Sequence, residues 1–356
     1  MAKFLHVVGA RPNFMKVAPV FHALAARSGV NQVLVHTGQH YDFNMSEVFF
    51  QQLGIPAPHV NLAVGSGSHA QQTAEIISRF EPVVLENQPD WVLVYGDVNS
   101  TVAAAVVCAK LLISVAHVEA GLRSGDRTMP EEINRLLTDQ IADLLFTPSQ
   151  DGNDNLAREG VPAERVRLVG NVMIDTLVRM LPLARQAVGA NVPDRFALVT
   201  LHRPANVDDV PWLREVISML QRVSHDLPVI FPIHPRTRQR LQEAGVGLNG
   251  DSRLTFVDPK PYLEFLGLQT RAAVVITDSG GIQEETTYLG IPCLTVRENT
   301  ERPITVSSGT NLLVGRSVEA VERELQNVIA GRKKQGSIPP LWDGHAAERI
   351  ADILMR

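Results

Sequence analysis

Short runs of β-branched and aliphatic residues alternate along the whole chain with segments whose apolar positions recur at helical spacing. In the first half FLHVVGA, NQVLVHTG, WVLVYGD, SVAHVEA, DLLFTPS and VRLVG read as strands, and KVAPVFHALAARS and HAQQTAEIISRFEPVVLEN as amphipathic helices. The second half repeats the theme. RFALVTLHR, LPVIFPIHP, RLTFVD, AAVVITDS, IPCLTVR and TNLLVG read as strands, VPWLREVISMLQRVS and GGIQEETTYLG as helices. Continuously apolar strands separated by helices predict parallel sheet covered on both faces. The fold class is therefore α/β, with two Rossmann-like doubly wound domains, and 356 residues are enough for both. The segment NVMIDTLVRMLPLARQAVGANVPD, Asn171 to Asp194, reads as a helix followed by a Gly/Pro-bearing linker. It sets the expected domains at 1–171 and 172–340. Two such domains should leave a cleft, with ligands held at the carboxyl ends of the strands.

Composition narrows the class. Hydrophobic content of 45 % with 20 % charge is that of a globular chain, and a net charge of −5 gives no overall attraction to nucleic acid or an anionic membrane. The opening MAKFLHVVGARP reads as a first strand and not as a signal peptide. The longest apolar stretch, VAAAVVCAKLLISVAHV, is broken by Lys110 and Ser114 and divides into a helix and a strand, not a membrane span. A cytoplasmic enzyme is expected. Cys108 and Cys293 sit in apolar runs and read as buried small hydrophobes of a reducing compartment. Neither the cysteines nor the histidines have metal-site spacing, so no metal is expected.

The chemistry-bearing residues stand just after strands. GARPNFMK places Arg11 and Lys16 near a helix start, where free N–H groups already favour an anion such as a diphosphate. Asp97 follows WVLVYG, where it suits either a helix cap or a catalytic carboxylate. Glu119 ends the apolar strand of AHVEAG and is expected to be partly desolvated, as a general acid or base requires. MPEEINR opens a helix, with Glu131 and Glu132 in the first turn favouring its dipole. Glu119, Asp126, Glu131 and Glu132 thus share one short stretch with Arg123, Arg127 and Arg135. His202 and Arg203 follow one strand of the second half, and His234 and Arg236 another. In VVITDSGGIQEETTYLG, Ser279, Gly280 and Gly281 lead a strand into a helix that carries Glu284 and Glu285. Glycines there let backbone approach a phosphate, and a carboxylate soon after can bond ribose hydroxyls. The spacing is neither the dinucleotide fingerprint nor the P-loop.

Taken in order, GARPNFMK, TGQHYD, VYGDVNST, HVEAGLRSGDRTMPEEINR, TLHRPANVDD and TDSGGIQEE resemble the non-hydrolysing UDP-N-acetylglucosamine 2-epimerases over nearly the whole chain. The resemblance implies the glycosyltransferase-B architecture, with the last helix, about 341–356, completing the first domain. It implies a homodimer and interconversion of UDP-GlcNAc and UDP-ManNAc by elimination of UDP to 2-acetamidoglucal and re-addition, with no cofactor. On matching positions, Asp97, Glu119 and Glu131 become the acid/base carboxylates, His202 stands with them as a catalytic residue, and Arg11 and His202 are the diphosphate-side contacts. Lys16 falls at the nucleotide end and Ser279, Gly280, Gly281 and Glu285 in the nucleotide loop. Arg123, Asp126 and Arg135 hold the acidic loop, with Arg135 also near substrate.

The chain departs from the common pattern at Asn13, Pro204, Ala205 and Ile304. It also resembles relatives acting on UDP-2,3-diacetamido-glucuronic acid, which leaves that sugar as an alternative, beside a hydrolysing epimerase, a glycosyltransferase and a silent nucleotide-sugar-binding regulator. Many bacterial members carry a second, activating UDP-GlcNAc site. Here Gln39 and His40 are followed by Tyr41, Asp42, Phe43 and Asn44, and VGSGSHAQQT lacks an arginine, so weak or absent activation is expected.

Overall fold

The structure, a computed structural model, describes residues 1–39, 50–189, 191–243, 245 and 253–356, with the main chain only at Arg11. The chain divides into two units, Met1–Thr176 with Pro340–Arg356, and Leu177–Pro339.

In the first unit seven parallel strands follow the order β3-β2-β1-β4-β5-β6-β7. They are β1 (Ala2–Val8), β2 (Val30–His36), β3 (Val60–Asn61), β4 (Trp91–Tyr95), β5 (Ser114–Val118), β6 (Leu144–Thr147) and β7 (Val166–Leu168). The helices used below are α1 (Arg11–Ala25), α2 (His69–Asn87), α3 (Asn99–Leu111), α4 (Pro130–Ile141), α5 (Gln150–Arg158) and α6 (Val172–Gln186). The apolar strands are sealed from water: Leu5, Val7, Val92, Val94 and Val115 belong to one core cluster with Ile76, Phe80 and Val84 of α2. Helix α2 starts where the sequence places it, because Ser68 and Gln71 form a reciprocal capping box. The long apolar stretch breaks as expected into α3 and β5, and Leu112, in the left-handed region at φ 57°, ends the helix. Helix α1 begins at Arg11, earlier than the predicted Lys16, with Pro12 in its first turn, where a missing N–H costs little. Strand β3 was not predicted, since two residues show no periodicity.

The second unit has six parallel strands in the order β10-β9-β8-β11-β12-β13. These are β8 (Ala197–Thr200), β9 (Val229–Pro232), β10 (Leu254–Val257), β11 (Val274–Thr277), β12 (Cys293–Thr295) and β13 (Asn311–Leu313). Helices α7 (Val210–Ser224), α8 (Tyr262–Arg271), α9 (Gly280–Leu289) and α10 (Val318–Ile329) belong to it. Leu213, Val216, Ile217, Leu220 and Val223 of α7 bury one stripe against Ala197, Val199 and Phe231 of the sheet. Cys108 and Cys293 are both fully buried, and burial pushes their thiols up to about 12 and about 11.

Each sheet reverses its winding once, between β1 and β4 in the first unit and between β8 and β11 in the second. Ligand sites of doubly wound sheets lie at the carboxyl end of such a reversal.

The division between the units falls inside α6, after Thr176. Helix α11 (Ala346–Leu354) closes the chain and counts with the first unit. Asp175 of α6 accepts the Ala346 and Ala347 N–H groups at 3.1 and 2.7 Å, satisfying two donors at the start of α11. Trp342 donates its indole N–H to the Pro148 carbonyl at 2.9 Å just before that helix. Asp175→Ala would leave both buried N–H groups unpaired. It is expected to destabilise the protein by about 2 kcal/mol in urea unfolding, with α11 losing amide-exchange protection first.

Candidate active site

The site of the first unit is built on the turn after β4. Gly96 has φ +64°, and a Cβ there would lie 2.5 Å from Lys16 Nζ and 3.1 Å from Glu119 Oε2. Only glycine lets the chain turn so close to these two groups. Lys16 comes from α1 and Glu119 from the end of β5; they form an ion pair whose side chains are 6 % and 3 % exposed. Glu119 is as desolvated as expected, but its partner was not foreseen. The sequence placed Lys16 at the nucleotide end, and the structure sets its ammonium on Glu119. Glu119 itself has φ +74°, a conformation rare outside glycine and frequent where a site stores strain.

Asp97 follows directly. It does not cap α3, whose N-cap residue is Val98. Its carboxylate instead takes Arg135 Nη1, and Arg135, 2 % exposed, also donates to Glu132 Oε2 through Nε at 3.1 Å and Nη2 at 2.5 Å. Glu132 in turn accepts the Ser124 and Gly125 N–H groups at 3.0 and 2.9 Å. Burial opposes its ionisation, but these N–H groups and Arg135 together hold its carboxyl below the usual range. Arg123 reaches Asp139 at 2.7 Å and Glu159 at 2.7 Å, and Asp126 accepts the Thr128 N–H at 2.9 Å. Arg135 and Glu132 thus pair within the stretch, Glu119 and Arg123 pair with Lys16, Asp139 and Glu159 outside it, and Glu132 pins the loop between β5 and α4 through the Ser124 and Gly125 N–H groups. Asp97 and Glu131 remain part of the wall of a cavity of about 370 Å³, with Gln39, His69, Gln72, Asn99 and Asn134. Asn13, one of the departures, has a local task. Its Oδ1 accepts the Gly9 and Ala10 N–H groups and its Nδ2 donates to the Tyr95 carbonyl at 2.8 Å, a donation no carboxylate could make.

In the second unit the turn after β8 is organised by Asp278, which directly follows β11 and is fully buried. Its carboxylate accepts the His202 N–H at 3.1 Å, the Arg203 N–H at 2.9 Å and Asn206 Nδ2 at 3.1 Å, and stands 3.0 Å from His202 Nδ1. Burial opposes its charge, but the His202 and Asn206 contacts outweigh this and keep it ionised. The His202 ring is left 47 % exposed with one nitrogen oriented by Asp278. Ser279 is the N-cap residue of α9, and Gly280 and Gly281 open the helix. A Cβ on Gly280 would run into the Arg302 guanidinium and Glu301. Glycine therefore brings an arginine up to free helix N–H groups, a combination suited to a phosphate. Arg302 is held by Glu301 at 2.6 Å and Glu284 at 2.8 Å, and Arg297 by Glu301 at 2.8 Å. Sequence reasoning missed Arg302, taking only Ile304 from its segment; the alternating signs of Arg297, Glu301 and Arg302 were the available signal. Glu285 is buried, accepts the Tyr262 hydroxyl at 2.9 Å, and is pushed up to about 7 by burial. Arg236 pairs with Asp208 at 3.0 Å on the exposed surface. Arg11 opens α1. His40 to Asn44, on which the expected weak activation rests in part, lie outside the described residues.

A family model described as UDP-N-acetylglucosamine 2-epimerase matches residues 22–355. The chain belongs to the UDP-N-acetylglucosamine 2-epimerase family. Among its relatives in that family, the UDP-N-acetylglucosamine 2-epimerase of Methanocaldococcus jannaschii is 40 % identical over 98 % of this chain and 97 % of its own. The UDP-2,3-diacetamido-2,3-dideoxy-D-glucuronate 2-epimerase of Pseudomonas aeruginosa is also 40 % identical, over 99 % of both chains. The crystal structure of the M. jannaschii enzyme in complex with UDP-GlcNAc and UDP superposes with a TM-score of 0.89 at 41 % identity, covering 99 % of each chain. The resemblance read from the motifs is thus a family membership, and the α/β fold with two parallel-sheet units is that of the epimerase structures. Among the described residues no helix is long and apolar enough to cross a membrane.

Two predictions follow from the geometry of this epimerase-family site. Lys16→Ala removes a cation that pairs with the buried Glu119 carboxylate and should cost about 3–5 kcal/mol in urea unfolding; a loss under about 1 kcal/mol would mean that the pair contributes little. Glu285 is ordinarily ionised above about 4.5 and here only above about 7, so the folded chain keeps a proton that the unfolded chain releases in between. Its contribution is full below about pH 4.5 and is lost as the pH rises to about 7, by up to about 3 kcal/mol. Glu285→Gln should flatten the fall in stability over that window.

Proposed function

We propose that the chain interconverts UDP-N-acetylglucosamine and UDP-N-acetylmannosamine. The C2 hydrogen of the sugar is not α to a carbonyl, so removal by a base alone is prohibitive. In the proposed route a carboxylate of the site takes the C2 proton, the C2–H pair becomes the C1–C2 double bond, UDP leaves with the C1–O bonding pair, and 2-acetamidoglucal remains. UDP then adds back to C1 as a proton is delivered to the opposite face of C2. No redox cofactor enters this balance. The observation that carries the reading is the gathering of Glu119, Asp97 and Glu131 around the carboxyl end of β4, two of them engaged by buried cations. Preorganised carboxylates stabilise a developing oxocarbenium and move protons without large reorganisation. Arg11, His202 and the α9 start at Ser279, Gly280 and Gly281, beside Arg302, are assigned to the phosphates, and Glu285 to the ribose. Arg135 is assigned to holding Asp97 toward substrate and Lys16 to neutralising Glu119. A cytoplasmic homodimer is the assembly the family resemblance supports.

A second reading has a specific observation behind it: the diacetamido-glucuronate 2-epimerase of P. aeruginosa is as similar as the UDP-GlcNAc enzyme of M. jannaschii. The chemistry at C2 is the same and only the sugar differs. Proton NMR of the protein with each sugar nucleotide separates the readings. UDP-ManNAc from UDP-GlcNAc is the expected product. Free ManNAc would mean a hydrolysing enzyme, and turnover of the diacetamido-uronate alone would establish the second reading. Glu119→Gln keeps the size of the side chain but cannot carry the proton. Turnover should fall by about 10²–10⁴-fold with UDP affinity nearly unchanged; near-normal turnover would reduce Glu119 to a structural group.

A further inference from the structure

His117 lies on β5, two residues before Glu119, and is fully buried. Both of its ring nitrogens face acceptors. Nε2 is 2.8 Å from the Gly96 carbonyl oxygen, which has no proton to give. Nδ1 is 2.6 Å from Asp139 Oδ1. The other oxygen of Asp139 accepts the Gly121 N–H at 3.1 Å and Arg123 Nη1 at 2.7 Å. The guanidinium and the N–H donor on that oxygen, independent of His117, favour the ionised carboxylate. An ionised carboxylate also has no proton to give. A neutral imidazole donates from one nitrogen only, so it would leave one of these short contacts as two facing lone pairs.

We infer that His117 is held as a doubly protonated imidazolium and is a positioning residue for the epimerase reaction proposed above. One N–H fixes the Gly96 carbonyl, and with it the peptide that leads into Asp97. The other fixes Asp139, which through Gly121 fixes the loop leaving Glu119. The ring therefore locks two strand ends and their carboxylates to a single buried anion. Among the described residues Asp139 faces the ring directly, Arg123 holds Asp139 at 2.7 Å, Glu159 holds Arg123 at 2.7 Å, and Arg165 donates to the Asp139 main-chain carbonyl at 3.0 Å. Beside Gly96 stands the Lys16–Glu119 ion pair. The arrangement also accounts for strand register. β4 pairs β5 with Val94 opposite His117, so the ring reaches the carbonyl just past the end of the neighbouring strand.

The test is the proton count on the ring. The full-length protein, labelled with ¹⁵N in histidine, is studied by NMR at neutral pH, and His117→Gln identifies the signal. Two N–H protons on the His117 ring are expected. One protonated nitrogen beside one bare nitrogen overturns the assignment. Asp139→Asn should reduce the count to one, because the anion that holds the second proton is gone; a ring that stays doubly protonated contradicts the role given to Asp139. In kinetics His117→Gln should lower kcat by about 100-fold while UDP affinity stays within about twofold, the signature of displaced acid/base groups. Equal losses in kcat and UDP affinity would point to general disruption instead and overturn the positioning role. The spectrum needs no substrate. A wild-type protein that epimerises nothing would refute the proposed function and still leave the ring assignment to be decided by its own proton count.

Discussion

A charge can be taken out of water only if another group answers it, and the site of the first unit is organised by that constraint. Lys16 answers Glu119, Arg135 answers Asp97 and Glu132, and Arg123 with His117 answers Asp139. Removing one partner from such a set costs far more than the set as a whole contributes. The loops that carry the carboxylates are therefore tied to the strand ends beneath them by ion pairs. Gly96 makes this possible, since any side chain there would occupy the place of the Lys16–Glu119 pair.

The second unit solves the opposite electrostatic problem with the same topology. At its sheet reversal a single buried carboxylate, Asp278, draws in backbone N–H groups and His202. On the neighbouring turn, glycine brings the Arg302 guanidinium to a helix N-terminus.

Most of the framework was legible in the sequence because it rests on local signals. Parallel strands buried on both faces appear as unbroken apolar runs, and the Ser68–Gln71 box and the glycines at 280 and 281 mark helix starts. What escaped was non-local. Nothing near Lys16 says that it meets Glu119, since the two are far apart in the chain and are joined only by the register of β1, β4 and β5. Asp97 could be read as a cap or as a catalytic group until Arg135 was seen to claim it. Arg302 and Tyr262 were passed over because their partners, Glu284 and Glu285, lie on another element. The two-residue strand β3 was too short to show a period.

The central claim is that the C2–H bond of the sugar is broken and remade by the carboxylates around β4. It is tested most directly by running the reaction in heavy water and recording the C2 position of both UDP-sugars by proton NMR. The account predicts deuterium at C2 of product from the first turnovers and of both epimers at equilibrium. Epimer formed with protium fully retained at C2 would contradict it.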